Sequence, residues 1–378
     1  MSGLKERLGR LRAASAAAPE APKAAASVPD GSLHPKFASM GVELYENEYG
    51  AFLLRRMIFP FPYRHGHHDL IDLAGCAARL TPIAARQNRA ADTPAPHANQ
   101  LLFLDTETTG LGVGTGNVPF MIGFGYCTEH TFVVEQTLIR HPGEEKAMLA
   151  YLLSHLKDKT HLVTYNGRTF DWPVLVNRFI LNGWRRSGPE PGHLDFLHPS
   201  RALWKNTLPS CRLGTVEESR LGIRRGHDVP GSMAPVLYVQ YLNDGNPEHL
   251  HGVYVHNEKD VLTLASLAVH FGQLLDGNSG DAWLSEAPAE ELFRTACWLE
   301  QHGSAEHAER LFEQLAVRED FGDGGWAFAL AARYKRAGRH DRALPLWKQT
   351  AKQPKPPHCR SSTRMWSWRC ITSIARGS

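Results

Sequence analysis

The stretch that decides the fold is Leu101–Gly110, which reads LLFLDTETTG. Its first four residues form an apolar run of the kind found in a buried strand, and Asp105 and Glu107 follow. Residues two positions apart on a β-strand point to the same face, so both carboxylates project together where the strand ends. Because like charges at that spacing repel each other, the pattern predicts a hard divalent cation with oxygen ligands, Mg²⁺ or Mn²⁺.

Two downstream segments extend this pair into a set. Tyr165–Asp171 reads YNGRTFD, and His256–Asp260 reads HNEKD and runs into an apolar pattern typical of a helix. The chain therefore carries D-x-E, N-x-x-x-F-D and H-x-x-x-D in that order. Phosphodiester hydrolysis can use two metal ions that lie about 3.5–4 Å apart. Holding two ions that close together requires several carboxylates, which separate segments of the chain can supply.

Each of the four carboxylates has a predicted role in holding two metal ions. Asp105 would bridge both ions, Glu107 would hold one and orient the attacking water, and Asp171 and Asp260 would complete the coordination. A single Asp is more often a cap or turn residue, and Asp171 could also cap a helix because Trp172-Pro173 follows it. The ordered set favours the metal role.

His256 is the predicted general base, because histidine is the usual base for hydrolysis near neutral pH. It precedes Asp260 by four residues, which is about one helical turn, so the two side chains would share a face. Tyr254 is the alternative base, and a surface histidine without a catalytic role is the other alternative. Asp195 is a fifth acid, predicted to be structural or to substitute for Asp171.

Residues around the first two motifs are candidates for binding the substrate, with an aromatic ring available to stack on a terminal base. For Phe170 the sequence favours a core position over one in the cleft. Eight Lys and Arg residues lie between positions 185 and 225 and form either a phosphate-binding patch or a solvated face. The predicted substrate-binding residues are Thr106, Thr108, Asn166 and Phe170.

Composition bounds the class of protein. The chain has 378 residues, of which 42% are hydrophobic and 21% charged, as in an ordinary soluble protein. No apolar stretch approaches the roughly 20 residues of a membrane span, so no membrane association is expected. The six cysteines are scattered without a C-x-x-C pair, which indicates neither a zinc site nor disulfides and favours a reducing cytoplasm. A net charge of +3 is too small to indicate nucleic-acid binding alone.

Five segments are predicted. Residues 1–35 form a basic helix and an Ala/Pro-rich linker, 36–98 a segment preceding the nuclease motifs, and 99–272 the domain that carries them. Early strands followed by alternating helices and strands predict a mixed α/β sheet flanked by helices. Residues 285–353 contain a repeat offset by 35 positions, near the roughly 34-residue period of tetratricopeptide repeats. Residues 354–378 contain no acid and no helical periodicity, which raises the hypothesis of a frameshift.

The order and context of the three motifs resemble those of the DEDD exonucleases, which have a ribonuclease H-like fold. With Tyr45–Gly50, Tyr63–Gly66 and Gly114–Phe120, the chain further resembles, over roughly residues 40–350, the bacterial YprB-type family. That family resembles the mitomycin-repair exonucleases, which carry C-terminal tetratricopeptide repeats. The resemblance implies a metal-dependent 3′-to-5′ DNA exonuclease that works with a DEAD-box-type helicase in DNA repair in the bacterial cytoplasm. The implied catalytic set is Asp105, Glu107, Asp171, His256 and Asp260.

One departure and two alternatives accompany this resemblance. One subclass of the DEDD exonucleases has a tyrosine four residues before the last Asp, and the other usually has a histidine five residues before it. This chain has a histidine four residues before. An RNA-processing exonuclease of the same fold is the first alternative, since nothing in the sequence reads the 2′-hydroxyl. A non-catalytic nucleic-acid-binding adaptor, with repeats that contact partner proteins, is the second.

Overall fold

The computed structural model describes residues 33–88, 94–110, 116–184, 190–226, 228–277, 286–318 and 325–351. The predicted basic helix near the N-terminus, most of the linker after it and the predicted atypical tail of residues 354–378 lie outside these ranges.

One seven-stranded mixed sheet organises the chain. In spatial order its strands are β1 Val42–Asn47, β2 Gly50–Pro60, β7 Thr131–Leu138, β6 Pro119–Cys127, β5 Leu101–Thr108, β8 His161–Thr164 and β9 Gly192–Asp195. Strand β5 pairs antiparallel with β6 and parallel with β8, and β8 pairs parallel with β9. This mixed sheet, flanked by helices and followed by a helical region, confirms the predicted ribonuclease H-like α/β fold class. A separate hairpin pairs β3 Arg64–His65 with β4 His68–Asp69.

The helices follow the strands in an α/β arrangement. In the described part of the chain, none is long and apolar enough to cross a membrane. The helices are α1 Pro35–Ser39, α2 Leu73–Cys76, α3 Thr81–Gln87, α4 Glu145–Leu156, α5 Asp171–Leu181, α6 Leu197–Trp204, α7 Leu213–Val216, α8 Ala234–Asp244, α9 Glu248–Leu275, α10 Ala289–Gln301, α11 Ala305–Ala316, α12 Gly325–Arg336 and α13 His340–Ala351.

The segment that precedes the first motif belongs to the same sheet. The hairpin β1–β2 adds to it through antiparallel pairing of β2 with β7. At the opposite edge of the sheet, β9 pairs with β8. β9 has four residues, too few for a period-two alternation to be visible in sequence.

Strand β5 is buried on both faces. Leu101 and Phe103 pack in the core that includes the C-terminal half of α9, whereas Leu102 and Leu104 pack in the opposite core with α4 and α5. Because side chains alternate along a strand, Asp105 and Glu107 point to the same face as Leu101 and Phe103, the face that α9 covers. The hydrophobic half of the strand thus fixes which face receives the carboxylates.

The C-terminal helices form two hairpins, α10–α11 and α12–α13. Gly303 and Gly338, 35 positions apart, adopt φ angles of 85° and 74° at equivalent turns, a conformation that favours glycine. The first hairpin is held to the nuclease-motif domain by the Arg220–Glu291 ion pair at 2.5 Å. The repeat-like region therefore packs against that domain.

Candidate active site

The three motifs converge beside the C-terminal end of β5. Asp105 and Glu107 lie on that strand, Asp171 is the first residue of α5, and Asp260 lies within α9. The Thr106 hydroxyl donates a short hydrogen bond to Asp171, which joins the strand to α5. The structure therefore brings together all four carboxylates predicted from the sequence.

The electrostatics of this cluster are those of crowded anions. Burial raises the pKa of Asp105 well above its ordinary value, and the charges of Asp260, Asp171 and Glu107 raise it further. Burial likewise raises the pKa of Glu107, followed by the charges of Asp260 and Asp171. Without a cation, these side chains bind protons more readily than exposed carboxylates do.

Asp171 shows the same effect, tempered by hydrogen bonding. Burial raises its pKa to about 6, the hydrogen bond from Thr106 opposes that rise, and the negative charge of Asp195 adds to it. Asp195 lies on β9 and accepts hydrogen bonds from the backbone amides of Asn166 and Arg168, at 2.8 and 3.2 Å. It therefore shapes the loop that leads into Asp171.

A row of residues across the sheet supports Asp105. Arg55, Gln136, Gly123 and Asp105 stand in register on β2, β7, β6 and β5. Asn257 of α9 lies over this row, donates to Asp105 Oδ2 at 2.8 Å and accepts from Gln136 Nε2 at 2.9 Å. A Cβ at Gly123 would lie 1.9 Å from Asn257 Oδ1, so only glycine leaves room for this bridge.

His256 is oriented by a carboxylate that the sequence reasoning missed. Its Nδ1 lies 2.8 Å from Asp228 Oδ2, and its Nε2 lies 3.5 Å from Asp260 Oδ2. Burial alone would raise the pKa of Asp228, but hydrogen bonds from Arg225 and His256 outweigh it and lower the pKa. An ionised Asp228 only accepts, so it holds the His256 tautomer that carries the proton on Nδ1 and leaves Nε2 free.

Arg225 is the second residue that the sequence reasoning did not place in the site. Its guanidinium pairs with Glu217 through two bonds of 2.5 and 2.6 Å, with Asp228 at 3.0 Å and with Asp260 through a short contact. It also lies 3.1 Å from His256 Nδ1. A cationic side chain thus binds one of the clustered carboxylates directly.

The donor set fits a divalent cation by its chemistry, since buried carboxylates with mutually raised pKa values are stabilised by added positive charge. In the described ranges, however, no group of three or more His, Cys, Asp or Glu side chains is arranged to hold a metal ion. Arg225 takes up Oδ1 of Asp260 in this arrangement. Coordination by all four carboxylates would therefore use Oδ2 of Asp260 or require Oδ1 to exchange its partner.

The predicted substrate-binding residues occupy two different settings. The hydroxyls of the buried residues Thr106 and Thr108 are used internally, by Asp171 and by the Gly110 carbonyl at 2.7 Å. Asn166 is exposed with a φ of 70°, and Phe170 is partly exposed at the start of α5 instead of lying in the core. The two residues of the second motif are therefore the accessible ones.

Tyr254, the alternative base, is 1% exposed and packs in the hydrophobic core, and its hydroxyl has no hydrogen-bond partner among the described residues. Two histidines of the β3–β4 hairpin also contact α9: His65 lies 3.2 Å from Thr263, and His68 lies 3.2 Å from His270.

The predicted basic patch is only partly available. Arg225 is engaged in the site, and Arg220 pairs with Glu291, whereas Arg185 and Arg186 lie outside the described residues.

The sequence did contain a signal for Asn257. It is a polar residue in the buried stripe of α9 that includes Val253 and Val261.

Comparison with known proteins agrees with this arrangement. A model of the RNase H superfamily matches residues 102–271, a range that includes all four clustered carboxylates. The chain is 37% identical over 313 residues, 82% of its own length and 73% of the relative's, to a Bacillus subtilis (strain 168) protein called Uncharacterized protein YprB. The chain therefore belongs to the ribonuclease H superfamily, within the family of YprB.

Proposed function

We propose that this protein is a metal-dependent 3′-to-5′ exonuclease that degrades DNA in a repair process. The ribonuclease H-like nuclease fold supports cleavage of nucleic acid. The observation that carries the finer proposal is the convergence of Asp105, Glu107, Asp171 and Asp260 from three separate segments, with His256 one helical turn before the last. The choice of DNA, of polarity and of repair rests on the resemblance to the mitomycin-repair exonucleases.

The first role that we assign to the chain's own residues is metal binding by the four clustered carboxylates. Asp105, Glu107, Asp171 and Asp260 would hold Mg²⁺ or Mn²⁺, which supplies activation of water and charge stabilisation in phosphodiester hydrolysis. The contact from Asn257 fixes one oxygen of Asp105 and leaves its other oxygen for a cation. Outer contacts of this kind orient ligands and tune their basicity.

Proton transfer is assigned to His256. Asp228 fixes the proton on Nδ1, so the lone pair of Nε2 can accept a proton from the attacking water. Nε2 lies near Asp260 Oδ2, which keeps the base beside the carboxylates. Arg225, anchored by the buried Glu217, offers positive charge at the same place.

The test is degradation of end-labelled single- and double-stranded DNA and RNA by the purified protein with Mg²⁺, Mn²⁺ or EDTA. We expect a metal-dependent ladder that grows from the 3′ end of DNA and is absent for Asp105→Asn, a variant that keeps the shape and the Asn257 contact. A ladder on RNA alone would replace DNA by RNA as the substrate. No cleavage of any substrate, with binding retained, would favour an adaptor.

Partners follow from the same resemblance. A DEAD-box-type helicase that supplies single-stranded ends is the proposed partner, with contacts through the repeat-like helices. A pull-down of purified helicase with the full chain and with a variant of an exposed repeat residue would test this contact.

A further inference from the structure

A cavity of about 320 Å³ lies between the nuclease-motif domain and the repeat-like helices. Its walls come from α3, from the loop before α5, from α6 and from α10. It is large enough for a nucleotide-sized group, since small-molecule sites begin near 300 Å³. The first repeat hairpin closes one side, so the cavity exists only because that hairpin packs on the domain.

The lining is basic. Arg86 and Arg168 carry its positive charge, the rings of His198 and His302 also line it, and no carboxylate does. The Arg168 side chain has no hydrogen bond or ion pair with another described residue, and Arg86 donates only to the carbonyl of Gln301 at 2.9 Å. A cavity with two arginines that no carboxylate neutralises attracts anions, and guanidinium groups suit phosphate geometry.

The cavity is joined to the catalytic cluster by short hydrogen-bonded steps. The side chain of Gln87, which lines the cavity, accepts a hydrogen bond from the backbone amide of Asp195 at 2.7 Å and donates one to its carbonyl at 2.9 Å. The backbone amide of Arg168 donates to the carboxylate of the same Asp195 at 3.2 Å. Asp195 in turn acts on Asp171, so the cavity lies one loop away from the carboxylates.

We propose that this cavity binds phosphate groups of the nucleic-acid strand next to the carboxylate cluster, with Arg86 and Arg168 as the phosphate contacts. This inference rests on the proposed function and assigns the strand a place in it. It also gives the repeat-like region a role in substrate binding, because Gln301 and His302 of the first hairpin line the cavity.

The experiment measures binding of a fluorescent single-stranded DNA oligonucleotide in EDTA, by anisotropy, in the Asp105→Asn background. The double substitution Arg86→Gln with Arg168→Gln should weaken binding roughly tenfold and reduce the salt slope by about 1.4, since each phosphate contact on a single strand contributes about 0.7. The matched control is Arg310→Gln with Arg336→Gln, which removes two charges from exposed positions of α11 and α12 outside the cavity. It should leave affinity and slope close to their starting values.

A charge-keeping double variant, Arg86→Lys with Arg168→Lys, guards against misfolding and should retain most of the salt slope. Unchanged oligonucleotide affinity in the Gln variant, while the wild-type protein still cleaves DNA, overturns the cavity assignment and leaves the proposed function intact. A wild-type protein that binds no oligonucleotide overturns both. Binding of a deoxynucleoside monophosphate that is lost in the Gln variant, with oligonucleotide binding unchanged, identifies a free-phosphate site and overturns the strand assignment.

Discussion

The amide of Asn257 donates a 2.8 Å hydrogen bond to Oδ2 of Asp105 and ties the long helix α9 to strand β5. The same amide accepts from Gln136, and Arg55 of β2 donates to Gln136 at 2.8 Å on the same face of the sheet. A polar chain thus runs from the strand hairpin before the first motif to the carboxylate that we assign as the bridging ligand. The orientation of that carboxylate depends on residues three strands away.

Replacing Asn257 by Leu, which has a similar shape, should reduce nuclease turnover by roughly 10- to 100-fold, the usual cost of removing a contact that orients a ligand. Stability should fall by about 1–3 kcal/mol, because Asp105 and Gln136 each lose a buried partner. Single-turnover cleavage and thermal unfolding measure the two effects. Ser266→Ala, which removes a buried hydroxyl of the same helix that donates to the His65 carbonyl at 3.1 Å, is the control and should keep its turnover. An Asn257→Leu enzyme with wild-type turnover would contradict a positioning role.

Gly123→Ala should reproduce the turnover loss of Asn257→Leu, because the new methyl group would occupy the space of the Asn257 amide. Residues that act through one contact are not additive, so the double variant should lose little more than either single variant. Gly75→Ala is the matched control, since nothing lies within 4 Å of a Cβ added there. Fully additive losses in the cycle would show that Gly123 acts on turnover by another route.

The carboxylate set could be predicted because strand alternation and the helical repeat convert spacing into direction. Asp105 and Glu107 continue the alternation of a buried strand, and His256 and Asp260 are one helical turn apart. Arg225 could not be predicted in the same way, since its contacts join segments with no fixed register between them. In the sequence Arg225 is one of many basic residues, and only the folded chain brings its side chain next to the carboxylates.

The long-range support of the site was hidden for a similar reason. The roles of Gln136 and Gly123 can be recognised only once β7 and β6 are placed in register beside β5. The short strand β9 carries no pattern of its own, yet it brings Asp195 beneath the loop that leads into Asp171. The periodicity of apolar residues can be read from a short stretch of sequence, but the strands that will pair with one another cannot.

Asp171→Asn should change how stability depends on pH. The pKa of Asp171 is about 6 in the folded chain and near 3.9 in an unfolded one. The folded state therefore binds more protons between those values, so the free energy of unfolding falls as pH rises from about 4 to 6. The Asn variant should lose this part of the decline, measured as melting temperature against pH in EDTA. An unaltered profile would contradict the raised pKa.

Asp244→Asn serves as the comparison of opposite sign. The backbone amide of Asn246 and the His249 ring lower the pKa of this exposed carboxyl, so it adds stability above its ordinary pKa that is lost as pH falls. Its removal should lower the melting temperature slightly at neutral pH and leave it unchanged in strong acid. Parallel shifts of both variants would show that the changes do not come from these carboxyls.

Arg225→Gln should separate stability from function when it is compared with Arg220→Gln. Each arginine pairs with a glutamate that is almost fully buried, Glu217 or Glu291, so either change should cost about 3–5 kcal/mol by leaving a buried charge unpaired. Thermal unfolding should therefore report similar losses for the two variants. Only Arg225 also binds Asp260, so only its removal should alter the carboxylate cluster.

That difference gives the Arg225 variant a readout independent of turnover. If its guanidinium competes with a divalent cation for Asp260, Arg225→Gln should bind Mn²⁺ more tightly than the wild type, as measured by titration calorimetry at a temperature where both are folded. Arg220→Gln should bind Mn²⁺ as the wild type does. Weaker binding in the Arg225 variant alone would mean that the arginine holds Asp260 in place for the metal instead of competing with it. Equal binding in all three proteins would remove Arg225 from the metal site.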